Sequence, residues 1–307
     1  MLPVKKVYVD TRFRTNDSIS TSQFKIELPD TLALPHNTIF HLDDISIPYT
    51  WYTVTEDVND ALYIQMTTLN GNSPPLHVDS TSANICKIVT LIPGTYNSLD
   101  ELAKEIQFKC NLKFYSADTP DPFTVTVNVS TNTLKFSLTG ATIAVKVFTN
   151  SDIKSQLVGY KANGWLGHWN GPEYDPNNSH HANELIGNTD GDGWGFFLTQ
   201  ANPFTTQYTD LQPIQNIYIH SANLGSYKTI GPKGESTIIE KVPVTANPNE
   251  MIFSTVTSSS DYLDCSRQTL KTISFELKDG HGRIINLHGA NLSFSIVFDK
   301  YRSDVAN

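Results

Sequence analysis

The residues with the clearest potential for chemistry form a short run rich in Asp and Gly, Asn188-Thr-Asp190-Gly-Asp192-Gly193. Calcium-binding loops begin in this way, with side-chain oxygens at alternate positions that converge where glycine turns the chain. The second half of such a loop is missing, because the twelfth position is Thr199 instead of a bidentate Glu. We therefore favour a plain turn, with a cation held by Asn188, Asp190 and Asp192 as the alternative.

A second group of metal-ligand residue types precedes this run. Imidazole and carboxylate groups are competent zinc ligands, but the spacing here fits none of the usual zinc schemes. Two of the histidines are adjacent, so their side chains would point apart on a strand. We predict no metal site and no cofactor from this group, which comprises His168, Glu173, Asp175, His180 and His181.

Carboxylates that are close in sequence could act as paired acids in glycoside hydrolysis. Nothing distinguishes a proton donor among the candidate pairs, and solvated charges are the favoured interpretation. The chain has no Gly-x-Ser-x-Gly elbow and no phosphate-binding loop, and Cys265 lies in Leu-Asp-Cys-Ser, which matches no protease motif. We therefore predict no enzymatic activity. The pairs considered are Asp43 with Asp44, Glu56 with Asp57, and Glu173 with Asp175.

Three of the four tryptophans, Trp165, Trp169 and Trp194, lie in residues 161–212, which carry six acids and one Lys. Aromatic faces supply large contact area, so this cluster could stack on sugars or form a protein interface. A local core within the segment is the favoured interpretation. The Tyr49-Thr-Trp51-Tyr52 run is interpreted, in the same way, as core or as a sheet corner.

The dominant pattern along the chain is alternation of apolar and polar residues in short runs rich in Val, Ile, Thr, Phe and Tyr. This period of two is typical of half-buried strands and predicts an all-β protein. The strand runs are residues 5–10, 23–28, 38–48 and 61–67, then 214–220, 236–244, 269–278 and 291–299, with a weaker run at 251–257.

Four runs near one end and four or five near the other supply the eight strands of a single jelly roll, which consists of two antiparallel sheets. We predict that this domain comprises residues 1–82 and 213–307, and that residues 83–212 form an inserted domain. Ser98 and Glu101 form a capping pair that predicts a helix at about 98–111. Short strands follow at about 123–148, and then the acidic, Trp- and Gly-rich segment 161–212.

Charge and cysteine content bear on which further classes of protein fit this sequence. The formal net charge of −9 opposes general binding to nucleic acid, although Lys5, Lys6, Arg12 and Arg14 form a basic N-terminal arm. We favour a solvated strand edge for that arm, with contact to packaged nucleic acid as the alternative. Three scattered cysteines indicate no disulfide framework. The chain shows no signal peptide and no long apolar run, so we expect folding in the cytosol and no membrane segment.

Several of these stretches resemble the penton, or minor capsid, proteins of virophages and polinton-like viruses. The likeness spans most of the chain, is strongest near the C-terminus and omits residues 161–212. It is carried by Val9-Asp-Thr-Arg12, Phe24, Ile45-Ser-Ile-Pro-Tyr-Thr-Trp-Tyr52, Pro93-Gly-Thr-Tyr-Asn-Ser-Leu-Asp-Glu-Leu102, the predicted hairpin at 123–138, Ile219-His-Ser-Ala-Asn-Leu-Gly225, Ile230-Gly-Pro-Lys-Gly234, Val242-Pro-Val-Thr245, Leu263-Asp-Cys265 and the run from Leu287 to Ser295.

The resemblance implies a structural role. It implies a jelly roll with an inserted domain, five copies around each vertex of a small icosahedral double-stranded DNA virus, contacts with trimers of the major capsid protein, and no catalysis. The expected location is the virion, after assembly in the host cytoplasm. The alternative hypothesis is a carbohydrate-binding or host-attachment module on the same fold, which would bind a glycan or receptor through Trp165, Trp169 and Trp194.

Overall fold

The computed structural model describes residues 5–68, 85–114, 121–139, 143–147, 182–187, 197–225, 229–232, 234–255 and 262–300. Its elements are, in chain order, β1 (Lys5–Asp10), β2 (Gln23–Ala33), β3 (Thr38–Pro48), β4 (Ala61–Thr68), β5 (Ile85–Thr90), α1 (Leu99–Phe114), β6 (Phe123–Asn128), β7 (Thr133–Leu138), β8 (Ile143–Val147), α2 (Asn183–Ile186), β9 (Phe197–Thr199), β10 (Phe204–Thr205), β11 (Asn216–His220), β12 (Ile238–Pro243), β13 (Met251–Ser254), β14 (Leu263–Asp264), β15 (Thr269–Lys278) and β16 (Ser293–Lys300).

The chain divides into two compact units. The jelly-roll unit consists of Met1–Trp51 and Ile214–Asn307, and the inserted unit consists of Tyr52–Pro213. The inserted unit therefore enters the chain between β3 and β11.

The jelly-roll unit is built from two antiparallel sheets. Sheet A has the strand order β1-β16-β3-β13, with the short β14 also paired to β3, and sheet B has the order β12-β11-β15-β2. Strands that are distant in sequence are neighbours in space, as in β1 beside β16 and β2 beside β15. This exchange of consecutive strands between two sheets is the topology of a jelly roll, so the predicted fold class is confirmed.

Inward-facing residues of the two sheets form one hydrophobic core. Phe24 and Phe275 of sheet B lie 5.3 Å apart between ring centroids, and Phe275 meets Phe294 of sheet A edge to face at 5.1 Å. All three rings are fully buried. Each such side chain contributes about 1.5–3 kcal/mol by leaving water, and the period of two in the sequence is what directs these rings to the same side.

The inserted unit has its own core, its own two sheets and the helix α1. One sheet has the order β5-β4-β8-β9 and the other β10-β7-β6. The helix begins as the capping pair predicts: the Ser98 Oγ accepts from the Glu101 N–H at 3.3 Å, and the Glu101 carboxylate accepts from the Asn97 N–H at 2.9 Å. Each bond satisfies a backbone donor at the start of the helix or just before it.

The structure differs from the expected arrangement at one strand, β4. The run at 61–67 was expected in the jelly roll, but β4 pairs with β5 and β8 in the inserted unit. The weaker run at 251–257 supplies β13, which pairs with β3 in the jelly roll. The first boundary of the inserted unit consequently falls after Trp51 rather than after residue 82. Alternation identifies a strand but not its partner, because the partner depends on backbone pairing and register.

Candidate interaction surface of the jelly-roll unit

The metal-ligand and tryptophan candidates lie outside the described residues. They are Asn188, Asp190 and Asp192 of the cation candidate, the tryptophans Trp165, Trp169 and Trp194, and His168, Glu173, Asp175, His180 and His181. Within the described part of the chain, no group of three or more His, Cys, Asp or Glu side chains could hold a metal ion.

Two of the three carboxylate pairs are described. Asp43 and Asp44 both contact the Lys6 ammonium, with Nζ–Oδ2 distances of 3.3 and 2.5 Å. Glu56 and Asp57 are exposed residues of a turn, and Asp57 has a φ of +55°. The first pair is a partner for a cation, and the second lies in an exposed turn.

Carboxylates pair with two of the four cations of the basic N-terminal arm, Lys6 and Arg12. Lys6 is paired with Asp43 and Asp44 across the sheet. The Arg12 guanidinium donates from Nε to both Asp10 oxygens at 3.0 Å and from Nη2 at 2.5 Å, and these hydrogen bonds lower the pKa of Asp10. Since phosphate binding depends on available cations, these pairs favour the strand-edge interpretation over contact with nucleic acid.

The cluster Tyr49-Thr-Trp51-Tyr52 supplies core residues, as predicted. The Tyr49 and Trp51 rings are buried and stacked, with centroids 4.2 Å apart and an interplanar angle of 22°. Both belong to the core of the jelly-roll unit. This aromatic pair is therefore part of the packing at the end of β3 and not a ligand platform.

Both described cysteines are buried and unpaired with each other. The Cys265 thiol donates to the Thr38 carbonyl at 3.6 Å, and burial, with a further contribution from Asp264, raises its pKa to about 12. Burial also raises the pKa of Cys110. Since the thiolate is the reactive form, neither side chain is equipped for nucleophilic chemistry.

We expect these thiols to resist labelling in the folded chain. In a Cys86→Ser background, a thiol reagent at pH 8 should label neither Cys110 nor Cys265 until denaturant is added, because reaction requires both exposure and a thiolate. Mass spectrometry of the intact chain measures the outcome. Rapid labelling of either cysteine under native conditions would contradict the buried placement.

The outer face of sheet B carries a polar network that spans three strands. Lys278 contacts Glu276 at 2.6 Å (Nζ–Oε2), and Gln23 donates from Nε2 to the other Glu276 oxygen at 2.9 Å. The hydrogen bond from Lys278, with a smaller one from Gln23, lowers the pKa of Glu276. Beside Glu276 on β11, the buried His220 bonds Thr237 through Nδ1 at 3.0 Å. Thr237 precedes β12, so the contact ties the end of the β11–β12 connection to the sheet.

His220 should make folding stability depend on pH. Burial lowers its pKa below the ordinary 6.5, and Lys278 adds to this effect while Glu235 and Glu276 oppose it. The unfolded chain then binds a proton at a higher pH than the folded chain, so stability falls as the pH drops below about 6.5. Urea denaturation between pH 7 and pH 5 should show a smaller loss for His220→Asn than for the unmodified chain.

A matched control is the exposed His288, which has a positive φ of +50° that Asn also tolerates. The pH slope of His288→Asn shows how much of any change arises from loss of a surface imidazole alone. Equal slopes for all three proteins would show that His220 does not contribute to the dependence.

The two edge strands of sheet A carry exposed aromatic side chains. Tyr8 on β1 is 77% exposed and Phe253 on β13 is 72% exposed. Their neighbours Val9 and Ile252 are buried in the core, so both aromatic rings lie on the outer face of the sheet. Lys6 lies over the Tyr8 ring, with Nζ 5.5 Å from its centroid. Tyr8 and Phe253 were not singled out in the sequence analysis. The alternation of apolar and polar residues could have placed both on the outer face, because each is next to a position that it predicts to be buried.

The connection between β1 and β2 also exposes apolar side chains, and backbone hydrogen bonds fix it to the sheets. Phe13 is 81% exposed and Ile19 is 78% exposed. The connection is tied to the sheets by Thr11, whose N–H donates to the Leu292 carbonyl at 3.1 Å, and by Thr15, whose N–H donates to the Lys25 carbonyl at 2.9 Å. Large apolar side chains displayed on ordered backbone are typical of protein interaction surfaces.

This architecture matches that of a solved viral protein. A crystal structure of the selenomethionine-labelled mavirus penton protein is similar to this chain with a TM-score of 0.50 and 11% sequence identity, covering 97% of this chain and 100% of that chain. The chain has a penton fold. The predicted resemblance to penton proteins is thus confirmed at the level of the fold.

No protein-family model matches the sequence, and no curated protein matches it. The penton fold is therefore recognised through backbone architecture. In the parts of the chain that are described, no helix is long and apolar enough to cross a membrane.

Proposed function

We infer that this protein is a structural component of a virus capsid, and that five copies form the vertex of a small icosahedral double-stranded DNA virus. The observation that carries this inference is the penton fold, whose similarity to the mavirus penton protein extends over 97% of the chain. The proposed location is the virion. The proposed partners are further copies of the same chain and trimers of the major capsid protein.

The physical character of the jelly-roll unit supports this role. Two sheets packed on a continuous core give a stiff body, because close-packed interiors deform little. The unit displays Tyr8, Phe13 and Phe253 on ordered backbone, where a soluble protein without partners would leave them in water. A closed ring of identical copies needs such surfaces on two different faces of each copy. The proposed role is structural and includes no reaction.

Assembly of the purified full chain tests the proposal. Light scattering coupled to size exclusion, over a range of protein and salt concentrations, should detect a particle of five times the 34.2 kDa chain. Electron microscopy of the same fraction should show rings with five-fold symmetry. Co-expression with the major capsid protein of the same virus should place the chain in the particles. A chain that stays monomeric in every condition and is absent from those particles would contradict the proposal.

A further inference from the structure

Sheet A has two exposed edges, β1 and β13, whose outer backbone groups pair with no other described strand. Within the described residues, β1 pairs only with β16, and β13 pairs only with β3. Each edge therefore presents a row of N–H and C=O groups on the side away from the sheet. The three antiparallel pairings from β1 to β16, β3 and β13 make β1 and β13 run in opposite directions.

The same two edges carry opposite charge. On the β1 side, Lys5 and Arg14 are exposed cations that remain after Lys6 and Arg12 have been paired with carboxylates. On the β13 side, residues 244–255 contain the exposed Glu250 and no Lys or Arg, and the adjacent β14 adds the exposed Asp264. One edge is thus basic and aromatic, and the other is acidic and apolar.

The charges and rings also lie at corresponding levels along the strands. Lys5 is opposite Phe298, which is opposite Phe40, which is opposite Leu263. Lys5 is thus level with Leu263 on the inner face of the sheet, whereas the Asp264 side chain lies on the outer face. Phe253 is opposite Ser46, which is opposite Ser293, which is opposite Asp10. Phe253 is thus level with Asp10, and Tyr8 lies two residues from Asp10 on the same face of β1.

At the same end of the sheet, Arg14 follows β1 and Glu250 immediately precedes β13. A rotation axis that runs along the strands preserves these levels. Such a rotation brings Tyr8 towards Phe253 on the outer face of the sheet, and Arg14 towards Glu250. Because β1 and β13 run in opposite directions, the two edges then meet antiparallel, which is the pairing that both sheets already use.

We propose that the β1 edge of one copy docks against the β13 edge of the next copy, with Tyr8 beside Phe253 and Arg14 beside Glu250. The occupant of each edge is thus a second copy of this chain, and the contact is head to tail, which generates a closed ring. This inference rests on the proposed vertex function and names the surfaces that build the ring.

Edge variants of the full chain test the contact. A β1-edge variant combines Tyr8→Ser with Arg14→Glu, and a β13-edge variant combines Met251→Ser with Phe253→Ser. Each should weaken self-association about tenfold or more, since exposed aromatic and Arg anchors dominate interface energetics. At a protein concentration at which the unmodified chain is also monomeric, the variants should unfold at the same temperature as that chain, because all four side chains lie outside the core.

A matched control truncates two exposed apolar residues elsewhere. Phe108→Ser with Leu112→Ser removes side chains that are 60% and 63% exposed on α1 of the inserted unit. This control should assemble like the unmodified chain.

A charge exchange, Arg14→Glu with Glu250→Arg in one chain, should recover the association that Arg14→Glu alone loses.

Mixing the two edge variants gives the sharpest readout. The β1-edge variant keeps an intact β13 edge, and the β13-edge variant keeps an intact β1 edge. A one-to-one mixture therefore contains a single intact contact and should form dimers, where each variant alone is monomeric. Analytical ultracentrifugation distinguishes dimers from rings.

The outcomes separate this inference from the function on which it rests. Rings formed by both edge variants, or a mixture that stays monomeric, would overturn the docking of these edges while leaving the vertex role intact. Loss of rings in the α1 control to the same extent would also overturn it. An unmodified chain that never assembles would instead overturn the vertex role itself.

Discussion

Replacing Phe275 with Ala is expected to lower the free energy of unfolding by about 3–5 kcal/mol, the usual cost of removing a buried aromatic ring. The ring is 1% exposed and contacts Phe24 within sheet B and Phe294 of sheet A. Its removal leaves a cavity between the two sheets, and both partner rings lose their aromatic contact. Chemical denaturation followed by tryptophan fluorescence and circular dichroism measures the change.

Phe253→Ala is the matched control for this prediction, with all proteins measured at a concentration at which the chain is monomeric. The residue type and the substitution are the same, but Phe253 is 72% exposed on the edge strand β13. Surface truncations away from special features usually change stability by less than about 0.5 kcal/mol. A loss below about 1 kcal/mol for Phe275→Ala would show that the sheets do not pack through this ring.

Replacing Asn111 with Leu is expected to destabilise the inserted unit by about 2–5 kcal/mol. The Asn111 side chain is buried and joins α1 to the start of β6 through two bonds to one residue. Its Oδ1 accepts from the Phe123 N–H at 2.8 Å, and its Nδ2 donates to the Phe123 carbonyl at 3.0 Å. Leu is of similar size but leaves both buried backbone groups unsatisfied, at about 1–3 kcal/mol each.

The control for Asn111 lies on the same helix. Lys104 is exposed, so Lys104→Ala should change stability by less than about 0.5 kcal/mol. Amide hydrogen exchange adds a local readout, since the Phe123 amide should lose protection in Asn111→Leu and keep it in Lys104→Ala. Unchanged protection of that amide in Asn111→Leu would contradict the bridging role of the side chain.

Phe275 and Phe253 illustrate how stability and assembly separate in this protein. The core ring contributes to folding of each copy, whereas the edge ring is expected to contribute only when a second copy is present. A variant such as Phe253→Ser should therefore yield well-folded monomers. That separation makes the proposed edge contact testable without loss of the fold.

The period-two alternation predicted every jelly-roll strand except the two-residue β14, with β13 as the weaker run, because side chains on successive residues of a strand face opposite sides. The error concerned β4. The run at β4 has strong alternation and was assigned to the jelly roll, yet its backbone pairs with β5 and β8. The shorter β13 pairs with β3 and completes sheet A.

The helix was predictable for a local reason. Ser98 and Glu101 act on backbone groups within four residues of themselves, so the capping signal does not depend on distant packing. The bridging role of Asn111 was not predictable, since its partner Phe123 is supplied by a strand beyond the end of the helix. A polar residue on the buried face of a helix signals a partner but does not identify it.

The sequence by itself determined the strand-rich class, the position of the helix and the absence of a recognisable catalytic motif, because each of these depends on residue types at short spacing. Only the tertiary structure decided which strands are neighbours, and hence that Tyr8 and Phe253 occupy opposite edges of one sheet. The physical reason is that edges are created by pairing between distant segments, and no local pattern states which strand remains without a neighbour.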